Sequence, residues 1–191
     1  MGNREDLLAG AKRCLLDKGY TRTTARDIAT AAGVSLAAIG YHFGSKEVLL
    51  TEAVRQAIEE WGDEMAGIAV TTEPDPAERF AATWRKVVES FPATRPLWAI
   101  QFEMLALLHH EPELRRTFAD ANKQARLALV DLFGAPDSAA DPHQREMIGA
   151  YYQTLLSGLA AQWLLDPGTA PTGDDLFQAA RHVTTGLFPE A

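Results

Sequence analysis

The sequence predicts an all-α protein. Apolar residues recur every three or four positions through most of its 191 residues, the spacing of an amphipathic helix face. No useful stretch alternates apolar and polar residues with period two, so no sheet is expected. Proline, glycine and aspartate clusters cut the pattern into segments of ordinary helix length.

Each segment has its own start and stop. Residues 3–18 carry Leu7, Leu8, Ala11, Leu15 and Leu16 at helical spacing, and Gly19 ends them. Thr24 precedes ARDIATAA with Asp27 three positions on, a capping-box-like pair, and Gly33 supplies a left-handed stop. Ser35 is the expected cap of a short helix over 36–43, which Gly44-Ser45 close. The next helix runs from Lys46 towards residue 69, and TTEPDP breaks the chain at 71–76. Residues 77–91 and 97–109 read as two helices, with Pro92 and Pro96 bracketing a turn, since an internal proline removes a helix hydrogen bond. Pro112 suits the first turn of a helix over 112–133. GAPDSAADP at 134–142 is a loop, 143–165 a long helix ended by Asp166-Pro167-Gly168, and 174–188 the last helix. About nine helices are therefore expected.

Composition narrows the function. Cys14 is the single cysteine, which excludes an intramolecular disulfide and fits a small core residue in a reducing compartment. The start MGNREDLLAGAKRC holds no apolar run of secretory length, and no stretch approaches a membrane span, so a cytoplasmic chain is expected. Net charge is −8, but unevenly spread: residues 1–50 hold seven Lys/Arg and five acids (+2), and residues 51–191 hold eleven and twenty-one (−10). The pattern is a mildly basic N-terminal module on an acidic body. No HExxH, CxxC or GxGxxG motif is present, and no ordered Ser/His/Asp set, so an enzyme is not expected. The one weak catalytic grouping is Glu103 with His109 or His110. Scattered histidines suggest no metal site, and no cofactor is implied.

Residues 24–43 read as helix, tight turn, short helix. Ile28, Ala29, Ala32, Val34, Ile39 and Phe43 form one mini-core fixing the two helices. With a helix before it, the stretch GYTRTTARDIATAAGVSLAAIGYHFGSKEVLL resembles the N-terminal domain of the tetracycline-repressor (TetR) family of bacterial transcription regulators. The likeness is carried by Gly19-Tyr20, Thr23-Thr24, Asp27-Ile28-Ala29, Ala32-Gly33-Val34-Ser35, Tyr41-His42-Phe43, Ser45-Lys46 and Leu49-Leu50, and it is dense over about 50 residues.

The resemblance implies a helix-turn-helix DNA-binding domain over 1–50 and an effector-binding and dimerisation domain over 51–191. The 36–42 helix would enter the major groove, with Leu36 and the bare Ala37-Ala38 face near base edges and thymine methyls. Ser35 would meet phosphate or serve purely as a cap. Tyr41 and His42 would touch phosphate or a base edge, His42 having the alternative of packing beneath the motif. Lys46 would be a phosphate contact, and Arg22 with Thr23 or Thr24 would reach the backbone across the groove. Gly40 departs from the family, many members of which carry an aromatic residue there.

In the body, RPLWAIQFEMLALL at 95–108 is apolar nearly all round, as in a central helix. Trp98, Phe102 and Leu105 are expected on one face, with Met65, Trp84 and Tyr151 looking into the same space. The resemblance makes that space a small-molecule effector pocket; the plain alternative is a filled core. Glu103, between Phe102 and Met104, must be paired or must bind a ligand group. The resemblance places a homodimer interface on 143–165 and 174–188, through Ala150, Leu155, Gly158, Ala161, Phe177, Val183 and Leu187. A pseudo-palindromic DNA operator follows from that two-fold symmetry. The expected function is a dimeric repressor released from DNA by an effector; the alternative is a ligand-independent DNA-binding dimer.

Overall fold

The computed structural model describes residues 3–69, 75–107, 112–134 and 141–187. Eight α-helices and no strand occur among them: α1 (Asn3–Lys18), α2 (Ala25–Ala32), α3 (Ala37–Phe43), α4 (Lys46–Ala69), α5 (Pro76–Leu107), α6 (Pro112–Phe133), α7 (Pro142–Leu165) and α8 (Gly173–Leu187). His109, His110 and most of the two loops at 71–76 and 134–142 lie outside the described residues.

The difference from nine helices is α5. It runs 32 residues straight through Pro92 and Pro96. The two prolines are four positions apart and both exposed, so they share one solvent-facing side of the helix. On the opposite side Phe91, Leu97, Trp98 and Ile100 are buried. Packing on both sides of the prolines outweighs the local penalty.

The chain divides into two compact units, Met1–Trp61 with Thr94–Ala121, and Gly62–Ala93 with Asn122–Ala191. The first takes in more chain than the 1–50 expected, because Ile100 and Met104 of α5 join the core of Leu7, Leu15, Ile28, Ile39, Leu49 and Val54. Trp98 packs edge-to-face on Trp61 in the same unit, with ring centroids 5.2 Å apart.

The second unit is built round an aromatic cluster. Phe80 and Trp84 from α5, Phe133 from α6, Tyr152 from α7 and Phe177 from α8 have neighbouring centroids 4.5–6.4 Å apart. Two glycines allow the helices to close. A Cβ on Gly149 would lie 2.4 Å from the Arg126 carbonyl oxygen, and one on Gly173 2.4 Å from the Arg85 nitrogen. No described helix is long and apolar enough to cross a membrane.

Candidate nucleic-acid interface

The helix-turn-helix starts with a firmly held first helix. Thr24 Oγ1 accepts from the Asp27 amide at 3.1 Å, and Asp27 Oδ2 accepts from the Thr24 amide at 3.0 Å, a complete capping box. Lys18 donates to Asp27 Oδ1 at 2.7 Å. This bond, with those from Thr24, holds the Asp27 carboxyl well below the usual carboxylate range. Because the value is depressed on folding, the stabilisation is present at neutral pH and is lost as pH falls through and below that range. Gly33 at φ 69° ends α2 in the left-handed region, and its amide bonds back to the last turn.

Small contacts set the distance between α1 and α2. A Cβ on Gly10 would meet Ala32 Cβ at 3.0 Å and the Ile28 carbonyl at 3.1 Å. Thr23 is 1 % exposed, and its hydroxyl donates to the carbonyls of Gly19 and Cys14. It is a core fastener of the α1–α2 turn, not the surface contact expected for it. Its hydroxyl finds acceptors in the turn itself, which makes its burial cheap.

α3 presents one stripe outward. Leu36, Ala37, Gly40, Tyr41 and Gly44 are exposed, at the i, i+4, i+8 spacing of a single helix side. Tyr41 is 86 % exposed. His42 is half-buried, its ring edge-on to Tyr41 at 4.8 Å. Ala38 is not part of the stripe: it lies in the core beside Ile39, so of the two alanines Ala37 alone forms the bare face. Ser35 does not cap α3. Leu36 holds the cap position without a side-chain bond, and the Ser35 carbonyl takes the Ala38 amide. The capping serine is Ser45, whose Oγ accepts from the Val48 amide at the start of α4.

Cations flank the stripe. Arg22 anchors Nε on the Lys18 carbonyl at 2.7 Å and has no ion pair among the described residues. Lys46 is loosely held, 3.4 Å from the Thr23 carbonyl and 3.5 Å from Glu47. Thr24 is exposed, but its hydroxyl belongs to the capping box.

Gly40 sits within α3, and a Cβ there would meet nothing within 4 Å. Gly40→Ala is expected to stabilise the protein by up to about 1 kcal/mol, the propensity difference in a helix interior. Urea unfolding with an unchanged slope measures it; a lower midpoint would contradict the open position.

The residues expected to line one effector space are divided between the units. Met65 and Trp84 are buried in the second. Trp98, Phe102, Glu103 and Leu105 belong to the first. Trp98 packs on Trp61, and its Nε1 donates to Thr94 Oγ1. Leu105 is 64 % exposed and Tyr151 53 %, so neither lines an interior. Glu103 accepts from two backbone amides, of Tyr20 and Thr21.

The expected dimer residues lie on a largely open surface. Along α7, Gly158 is exposed and Ala150, Leu155 and Ala161 half-buried; along α8, Val183 and Leu187 are exposed and Phe177 half-buried; Met147 and Tyr151, not among the expected residues, are exposed on α7 too. A Cβ on Gly158 would meet nothing within 4 Å. Tyr151 thus belongs with this apolar stripe, a placement sequence reasoning missed; its spacing of four from Met147 was the available signal. No group of His, Cys, Asp and Glu that could hold a metal occurs among the described residues.

A capped helix, a glycine turn and a short second helix with an exposed stripe that carries Tyr41 define a helix-turn-helix of the DNA-binding kind. The family model described as bacterial regulatory proteins, tetR family, matches residues 7–53. The model for the C-terminal part of BetI-type transcriptional repressors matches residues 76–188. The chain belongs to the tetracycline-repressor family, and it is a DNA-binding transcriptional regulator rather than an enzyme. It is 27 % identical to the HTH-type transcriptional regulator TtgR of Pseudomonas putida, over 96 % of this chain and 89 % of that one. It is 26 % identical to the HTH-type transcriptional repressor Rv1474c of Mycobacterium tuberculosis, over 83 % and 81 %. The fold is shared with a transcriptional regulator from Rhodococcus sp. Rha1, at TM-score 0.67 and 20 % identity over 96 % of both chains. It is also shared with the multidrug binding protein EbrR complexed with proflavin, at TM-score 0.62 and 24 % identity over 98 % of this chain and all of that one.

Proposed function

We propose that the protein is a homodimeric, sequence-specific repressor that leaves its operator when a small molecule occupies the second unit. The reading is carried by the stripe of Leu36, Ala37, Gly40 and Tyr41 on the second helix of the motif. Tyr41 stands almost wholly in solvent, where an aromatic ring gains nothing until a partner covers it. Ala37 and Leu36 offer methyl contact to thymines, and Tyr41, His42, Lys46 and Arg22 reach phosphates or base edges. The net charge of −8 keeps the rest of the molecule off DNA. A regulator of this kind works in the cytoplasm.

The open apolar stripe on α7 and α8 supports a two-fold dimer. Gly158→Arg is expected to leave the fold intact, since the position is open, and to convert dimer to monomer. Sedimentation measures this; an unchanged dimer would place the interface elsewhere.

The effector belongs with the aromatic cluster. Trp84 Nε1 is buried there without a hydrogen-bond partner among the described residues. A flat apolar ligand carrying an acceptor would satisfy such a donor and slide between rings. EbrR, of the same fold, carries proflavin, a flat aromatic molecule. The tight stacking of Phe133 on Tyr152 and the full burial of Trp84 favour the second reading, a body that only dimerises. Capture of genomic fragments by the purified protein, with and without candidate flat ligands, tests both parts. One or a few enriched palindromes, released by a ligand, are expected; no enrichment would overturn the operator reading, and enrichment that no ligand reverses would favour the dimer-only body.

A further inference from the structure

The α1–α2 turn is shaped to receive a carboxylate. The Tyr20 amide donates to Glu103 Oε2 at 2.9 Å and the Thr21 amide to Oε1 at 2.7 Å. Gly19 sits at φ 81°, and a Cβ on it would lie 3.1 Å from Oε2. Two consecutive amides, a left-handed glycine and a two-oxygen acceptor make a fitted pair. The Glu103 carboxyl lies below its ordinary value: burial pushes it up, and the bonds from Thr21 and Tyr20, with the charge of Arg22, outweigh that.

What the carboxylate grips is connected directly to the helix-turn-helix. Gly19, beneath it, receives the Thr23 hydroxyl at 2.7 Å, and the next residue, Thr24, caps α2. On either side of Glu103, Ile100 and Met104 enter the core that also holds Ile28 of α2 and Ile39 of α3. One turn of α5 therefore meets the turn that leads into α2 with two polar bonds and the motif's underside with apolar contacts. The other half of the same helix carries Phe80 and Trp84 of the aromatic cluster.

We infer that Glu103 is the positioning residue through which α5 fixes the orientation of the helix-turn-helix, and hence the half-site spacing the dimer accepts. The spacing part rests on the two-fold dimer proposed above. Without the carboxylate the core still holds α2 and α3 together, but the turn that leads into α2 loses its polar tie to α5. Spacing should then become permissive while the motif stays folded.

Two measurements on full-length wild-type, Glu103→Gln and Glu103→Ala proteins test this. Glutamine keeps the size of the side chain but one acceptor oxygen and no charge, so it serves if alanine fails to fold. The first is hydrogen exchange at the Tyr20 and Thr21 amides, which needs neither DNA nor dimer. Exchange about tenfold faster in Glu103→Gln is expected; equal rates would overturn the inference at its root. The second is selection from a library of paired half-sites with varied separation. Wild-type protein should select one separation, and the variants should accept separations one or two base pairs to either side. The same single separation with uniformly weaker binding would make Glu103 a stabilising contact and overturn its positioning role. Wild-type protein that selects no paired half-sites overturns the dimer reading and the spacing claim with it, while the exchange data still decide the clamp.

Discussion

Tyr41→Ala is expected to weaken specific operator binding by about 2 kcal/mol or more, roughly thirtyfold in Kd. The ring is 86 % exposed and touches little but the edge of His42, so the substitution leaves folding stability within about 0.5 kcal/mol. The two effects separate cleanly in one pair of measurements, thermal unfolding and binding to the captured operator. Wild-type affinity in the variant would mean that another face of α3 meets DNA. The effect is large because Tyr41 is the one large aromatic side chain on a stripe otherwise built from Leu36, Ala37 and two glycines. It has no neighbour to take over its contact.

Gly149→Ala acts at the opposite end of the chemistry, with no DNA involved. The added Cβ would sit 2.4 Å from the carbonyl oxygen of Arg126 and 2.9 Å from its Cβ. Backbone cannot swing aside as a side chain can, so α6 and α7 must move apart. Their separation would loosen the stacking of Phe133 on Tyr152, whose centroids are 4.5 Å apart. The Arg126 to Gln153 bond at 2.8 Å spans the same crossing. A loss of about 3 kcal/mol is expected from overpacking of this kind, read as a fall in the urea midpoint. Gly158→Ala, nine residues along the same helix and in open space, is the matched control and should not destabilise the monomer. Equal behaviour of the two would contradict the helix packing of the second unit.

The parts of this molecule governed by short-range rules were legible in the sequence. Thr24 with Asp27 three positions on announced the start of α2, and Gly33 its end, because caps and left-handed stops are local chemistry. Burial within the motif was harder. Ala37 and Ala38 are chemically identical, and nothing in their composition says which one turns inward. The sequence shows Thr23 only as a hydroxyl in a polar turn, because its acceptors, the Gly19 and Cys14 carbonyls, become available only when α1 ends as it does. The prolines of α5 misled for a related reason: local penalty is visible in sequence, and the packing of Phe91, Leu97 and Trp98 that overrides it is not. Glu103 shows the limit most plainly. The need for a partner was legible from its apolar neighbours. The partner proved to be two backbone amides more than eighty residues away, and backbone amides leave no mark in sequence.

The electrostatic design is consistent with a head that binds and a body that does not. Arg22 and Arg26 have no ion pair among the described residues and Lys46 only a loose one, 3.5 Å from Glu47, whereas Arg85 of the second unit is paired with Asp174. Such loosely held cations are available to phosphate, and they make the affinity fall with salt.

Operator recognition by this protein requires two copies of the α3 stripe on one DNA site. Footprinting of the purified protein on its captured genomic fragment tests that most directly. The prediction is two protected half-sites of inverted sequence, centred about 10–10.5 base pairs or a multiple apart, both lost together in Tyr41→Ala. A single unpaired protected site, or paired protection that survives Tyr41→Ala, would contradict it.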